Sequence, residues 1–118
     1  DAEIDAKYEE YQIPYEIPSS LHHYTPDFVL PNGIIIETKG VFDVDDRKKH
    51  LLIKKQYPKL DIRFVFSSSK TYIYKGSKTT YADWCNKYEF KFADKWIPDT
   101  WLRERKKDIT GLIYTKKN

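Results

Sequence analysis

The stretch "YTPDFVLPNGIIIETKG", residues 24–40, sets two strongly apolar runs, Phe28 to Leu30 and Ile34 to Ile36, on either side of Pro31-Asn32-Gly33, with Asp27, Glu37 and Lys39 at their outer ends. Runs this apolar read as strands covered on both faces. A charge beside such a strand is costly to desolvate unless something compensates it. The turn decides which charges meet. A two-residue Asn32-Gly33 loop sets Asp27 opposite Thr38 and sends Glu37 to the other face. A three-residue loop has Pro31 and Asn32 at the centre of a type I turn and Gly33 at the left-handed bulge position. It sets Asp27 opposite Glu37, with Lys39 one step along the same face. Proline suits the first central position of that turn and favours the three-residue loop. Opposed side chains then have Cβ atoms roughly 4.5–5.5 Å apart, close enough for two carboxylates to share a cation.

Such a pair suits metal-dependent phosphodiester hydrolysis. Mg²⁺ prefers oxygen ligands and keeps several waters, and a bound metal acidifies its water and stabilises charge on the phosphate. Asp27 and Glu37 are the expected ligands, with the carbonyl of Thr38 as a further one. Lys39 is placed to orient the attacking water or to hold a phosphate oxygen. The bland reading is a surface Glu–Lys pair and an aspartate that opens a strand. The Ile34-Ile35-Ile36 run, Gly40 after the lysine and the turn chemistry favour catalysis.

The whole chain is compatible with this. Its 118 residues fit one domain, large enough for a core and too small for two. It is 33% charged and 16% aromatic, a globular composition. The net charge of +3 covers 21 basic against 18 acidic residues. The basic ones cluster late in the chain and over 47–55, which points to a polyanionic partner. Cys85 is the one cysteine, which excludes an intrachain disulfide and a multi-cysteine metal site and makes a reducing cytoplasm the natural setting. No apolar stretch is long enough to span a bilayer, and no signal peptide is expected. The chain starts at Asp1, so a longer gene product is expected.

Residues 7–18 alternate apolar and polar side chains around prolines at 14 and 18, the pattern of an edge or inter-subunit strand or of an extended linker. Tyr11, Ile13, Tyr15 and Ile17 are its expected dimer contacts. Residues 43–57 predict a helix capped by Asp43, with Asp46 in the capping-box position. Val44, Leu51, Leu52 and the stem of Lys48 would line its buried face. Arg47, Lys48, Lys49 and His50 read either as a solvated face or as phosphate contacts. Residues 62–66 predict a strand reached by a crossover, 71–75 a further strand, and 80–87 a short helix capped by Thr79 or Thr80. Ser67, Ser68, Ser69 and Lys70 form a polar loop or a second DNA contact. His22 and His23 suit a pre-strand loop, and Trp84, Trp96 and Trp101 suit the core. Residues 90–101 should pack back on the core, and the mostly basic tail over 103–118 should fray. The expected division is a bridging strand over 1–18, a nuclease domain over 19–108 and a basic tail over 109–118.

The spacing Pro-Asp, nine residues, Glu-x-Lys is that of the PD-(D/E)xK nucleases. Beyond that motif, "YTPDFVLPNGIIIETKG", "DDRKKHLLIKKQYPKLDIRFVFSSS", "YKGS" and "KFADKWIP" resemble the endonuclease I family of the T-odd coliphages, over about residues 7–108. The resemblance implies an α/β, restriction-endonuclease-like mixed β-sheet flanked by helices. It implies a homodimer, intertwined through an exchanged or paired N-terminal strand, that cuts Holliday junctions and other branched DNA with Mg²⁺ or Mn²⁺ in the cytoplasm of the phage's host. The matching active-site residues are Asp27, Glu37 and Lys39. The family also uses a glutamate on a helix upstream of the bridging strand. Residues 1–6 are too few to hold that helix, so the expectation is a longer native chain or a site one ligand short. The rival readings are a restriction-like or transposition-associated nuclease on duplex DNA, and a junction-binding protein that does not cut.

Overall fold

The computed structural model describes residues 7–8, 11–17, 20–110 and 112–114. Five strands form one mixed sheet in the order β1 (Lys7–Tyr8), β4 (Phe28–Val29), β5 (Ile35–Lys39), β6 (Ile62–Phe66) and β7 (Phe92–Asp94). β1, β4 and β5 pair antiparallel, whereas β5, β6 and β7 run parallel. Parallel neighbours need crossovers. Helix α1 (Val44–Gln56) supplies the first, and α2 (Tyr81–Lys87) lies within the second. A three-stranded sheet places β2 (Tyr11–Ile17) between β3 (Ser20–Tyr24) and β8 (Ile113–Tyr114). The short α3 (Asp99–Leu102) completes the elements. No helix among the described residues is long and apolar enough to cross a membrane.

Both faces of the large sheet are covered, as the apolar runs require. Ile35, Ile62, Phe64 and Phe66 face a core shared with Ile53 of α1 and with Tyr81, Trp84 and Cys85 of α2. Leu30, Ile34, Ile36 and Val65 face Trp101 on the other side. Asp43 caps α1 as expected, accepting from the Asp46 amide at 2.9 Å. Thr80 caps α2 in a full capping box with Asp83.

Several expectations are corrected. The fully buried residues of α1 are Arg47, His50 and Ile53; Leu51 and Leu52 are half-buried and pack against the core as expected, while Val44 and Lys48 are exposed. Residues 71–75 form no strand; only an isolated bridge joins Tyr72 to Thr80. His22 and His23 belong to β3 and not to a loop. Trp84 and Trp101 are core residues, but Trp96 is 72% exposed. Among the described residues, the segment expected to fray is held in place at 104–107 and 113–114: Glu104 pairs with buried Arg63 at 2.6 Å, the Lys107 amide donates to the Asn32 carbonyl at 2.6 Å, and β8 pairs with β2. Along β2, Ile13 to Ile17 pair with β3 and Tyr11 and Gln12 pair with β8, all within one chain.

Candidate active site

The site begins with the turn. The Gly33 amide donates to the Leu30 carbonyl and the Leu30 amide to the Ile34 carbonyl, both at 2.8 Å, and Gly33 has φ +90°. This is the three-residue loop with glycine at the left-handed position. Phe28 faces Ile36 and Val29 faces Ile35, so one step further Asp27 faces Glu37. Side chains alternate along β5; Glu37 and Lys39 therefore point to the same side as Ile35, toward α1.

Glu37 is 4% exposed and well held. Its Oε2 accepts from the Tyr24 hydroxyl at 2.6 Å and from the Asp27 amide at 3.0 Å. Lys39 Nζ lies 3.5 Å from Oε1 and 3.2 Å from Oδ1 of Asp46 at the start of α1. Oδ2 of Asp27 accepts from the amide and the hydroxyl of Thr38, at 2.9 and 2.8 Å. Burial pushes the Glu37 carboxyl above its ordinary value against the opposing bond from Tyr24; the Asp27 charge adds to the rise and Lys39 opposes it. Burial, followed by the Glu37 charge, holds the Tyr24 hydroxyl well above 10 and so keeps it a donor. Two acids on one edge, one of them buried, are hard oxygen donors whose repulsion a divalent cation would relieve. Among the described residues no cluster of three or more His, Cys, Asp or Glu side chains is present.

Beside the acids, a cleft of about 280 Å³ opens at the carboxyl ends of β5 and β6, lined by Thr38, Lys39, Gly40, Ser67 and Lys95 among others. That end of a parallel sheet is where open α/β folds bind ligands. Lys95 is exposed there, next to Trp96.

The remaining sequence-predicted residues are divided by burial. Lys48 is exposed, and half-buried Lys49 sets its Nζ 5.3 Å from the centre of the Tyr24 ring. Arg47 is buried and donates to the carbonyls of Phe42 at 2.6 Å and Ile73 at 3.2 Å. His50 is 0% exposed, with neither ring nitrogen hydrogen-bonded, edge-on to Tyr24 and Phe64. Burial first, then Lys49 and Lys39, push its pKa well below 6.5, so the ring is neutral. Neither Arg47 nor His50 reaches the surface, a correction to the expected run of four phosphate contacts. Ser67, Ser68 and Lys70 are exposed. Ser69 is buried and gives its hydroxyl to Asp94 at 2.8 Å, so it leaves the expected DNA-facing set as well. Ile13 and Tyr15 are buried in the core of the single chain; the side chains of Tyr11 and Ile17 lie outside the described residues.

Sequence reasoning missed Tyr24 and Asp46. Tyr24 opens the stretch that carries the site, yet no spacing rule ties a tyrosine to a glutamate 13 residues on. Asp46 was accounted for by helix capping, and its pairing with Lys39 depends on where α1 lands.

A model of the phage endonuclease I family matches residues 1–118. Endonuclease I of Escherichia phage T7 is 60% identical over 106 residues, covering 90% of this chain and 71% of the relative. Endodeoxyribonuclease 1 of Enterobacteria phage T3 is 62% identical over 106 residues, covering 90% and 70%.

Proposed function

Since the chain belongs to the phage endonuclease I family, we propose that it is a metal-dependent DNA endonuclease that cuts phosphodiester bonds in branched DNA such as four-way junctions. The observation that carries this reading is the convergence of Asp27, Glu37 and Lys39 on one sheet edge, with Glu37 gripped by Tyr24.

Asp27 and Glu37 would hold Mg²⁺ or Mn²⁺, with the Thr38 carbonyl as a further ligand. A bound cation would supply Lewis acidity and an acidified water. The chain's own groups do the rest. Tyr24 and the Asp27 amide fix one oxygen of Glu37, and the Thr38 amide and hydroxyl fix one oxygen of Asp27, so neither carboxylate has to be ordered at the moment of reaction. Lys39, held between Glu37 and Asp46, brings a positive charge to the mouth of the cleft, where it orients a water or a phosphate oxygen. Exposed Lys48 and Lys95 add positive charge that favours a phosphate backbone.

On the same reading the mixed sheet is a restriction-endonuclease-like core, and the working species is a homodimer joined through the N-terminal strand. Two cutting sites at a fixed separation then select branched DNA by shape.

The test is nicking of a four-way junction with Mg²⁺. The protein should cut the junction, and Glu37→Ala should abolish cutting while junction binding persists. Cleavage that survives in Glu37→Ala removes the proposed site. Equal cutting of linear duplex points to a restriction-like nuclease, and binding without any cutting to an architectural protein.

A further inference from the structure

The second crossover contains a feature that the cutting site does not use. From Ser67 to Ala82 the chain has no acidic residue, and it carries Lys70, Lys75 and Lys78 interleaved with Tyr72 and Tyr74. Those tyrosines are 57% and 63% exposed, whereas Tyr15, Tyr24 and Tyr81 are buried in the core. The segment is nevertheless ordered by its own bonds. The Ile73 amide donates to the Thr79 carbonyl at 2.9 Å and the Tyr81 amide to the Thr71 carbonyl at 2.8 Å. The Ser77 amide closes the tip onto the Tyr74 carbonyl at 3.1 Å, with Gly76 at φ +87°. Buried Arg47 pins the Ile73 carbonyl from below at 3.2 Å. The outcome is a hairpin that presents lysines and tyrosine rings on a fixed frame. It leaves the sheet from the carboxyl end of β6, where Ser67 lines the same cleft as Lys39.

We infer that the hairpin over residues 70–79 is a DNA-docking element that holds the backbone of a branched substrate with Lys70, Lys75 and Lys78 and stacks Tyr72 and Tyr74 on base faces exposed at the branch. This rests on the proposed DNA-cutting role of the neighbouring cleft. The acid-free charge selects a polyanion, and the exposed rings select one with accessible base faces. A frame fixed beforehand lowers the ordering cost of binding. Intact duplex hides its base faces, so the rings act on branched DNA while the lysines act on any DNA.

The experiment measures binding of the full chain, in EDTA so that nothing is cut, to a four-way junction and to a linear duplex of the same base composition. The Tyr72→Ala/Tyr74→Ala protein should bind the junction roughly tenfold or more weakly and the duplex nearly as the parent does. The Tyr72→Phe/Tyr74→Phe protein keeps the rings and should retain junction affinity. The Lys70→Gln/Lys75→Gln/Lys78→Gln protein should lose affinity for both DNAs. Its slope of log K against log salt should fall by about 0.9 for each phosphate contact removed. Parent-like junction affinity in the Ala and Gln proteins overturns the inference while leaving the cutting site intact. So does a halved particle mass with unchanged DNA affinity, which would assign the hairpin to a second copy of the chain. A parent protein that binds neither DNA sinks the cutting role first, and the hairpin with it.

Discussion

A tyrosine hydroxyl 2.6 Å from a nearly buried carboxylate is a charge-assisted bond in a low-dielectric place, and such bonds are roughly twice as strong as neutral ones. Tyr24 touches neither substrate nor cation in the proposed reaction; it is a positioning residue that acts through Glu37. Burial already pushes the Glu37 carboxyl upward and the Tyr24 bond pulls it down. In Tyr24→Phe the ring remains and the bond goes, so the carboxyl rises further. The ionised form that binds a cation is then lost at higher pH. Activity of Tyr24→Phe should fall roughly 10- to 100-fold, the usual cost of losing an outer partner of a ligand. The acidic limb of its pH–rate profile should move toward neutrality. A merely structural tyrosine would lower the whole profile without moving its limb; superimposable limbs after scaling would reduce Tyr24 to packing.

At the scale of elements, the hairpin over 27–37 depends on one backbone conformation. Gly33 sits at φ +90°, and a Cβ there would stand 2.9 Å from the Ile109 side chain and 3.1 Å from the Lys107 carbonyl. Gly76 has a similar φ of +87° with nothing within 4 Å. Both alanine variants carry backbone strain, but only Gly33→Ala also clashes. Gly76→Ala should lose about 1 kcal/mol of stability and Gly33→Ala distinctly more, read by denaturant unfolding. Only Gly33→Ala should also impair junction cutting, because its turn sets Asp27 against Glu37. Equal losses in the two variants would mean that the packing of 107–109 onto the turn is unimportant. The same hairpin explains why the centre of the site was legible in sequence: Pro31 and Gly33 constrain the turn locally, and the turn fixes the register. Helix α1 was less legible. Its buried face carries Arg47, whose partners are the carbonyls of Phe42 and Ile73, and His50, which sits among aromatic rings. A polar residue is read as exposed until a tertiary partner is known. Residues 71–75 misled for the opposite reason: Tyr72, Ile73 and Tyr74 have strand-favouring side chains, but the segment finds a single bridging partner, Tyr72 to Thr80, and leaves both tyrosines exposed.

For the whole molecule, the decisive contacts join residues far apart in the chain. Arg63, fully buried, pairs with Asp61 and with Glu104 and lies over the Trp101 ring at 5.0 Å. Hydrogen bonds from Arg63 and then Lys107 hold the Glu104 carboxyl down at about 2. This tie seats 104–107 against the sheet, in the part of the chain where composition predicted a fraying tail. The N-terminal strand raises a related question of scale. In one chain, β2 uses both edges on β3 and β8 and buries Ile13 and Tyr15 in the common core. Those are the residues assigned to a dimer. The two placements are reconcilable, because exchange of an identical element between two copies rebuilds the same contacts across the pair. Exchange therefore changes the mass of the particle and not the environment of Ile13. Sedimentation equilibrium should give about twice the 14.2 kDa of one chain, in Mg²⁺ and in EDTA alike. Mixing two differently tagged preparations should yield mixed particles only as fast as β2 can leave its core. A mass of one chain at the concentrations that cut junctions would refute the paired-site account of branch selectivity, and shape recognition would then have to reside within a single chain.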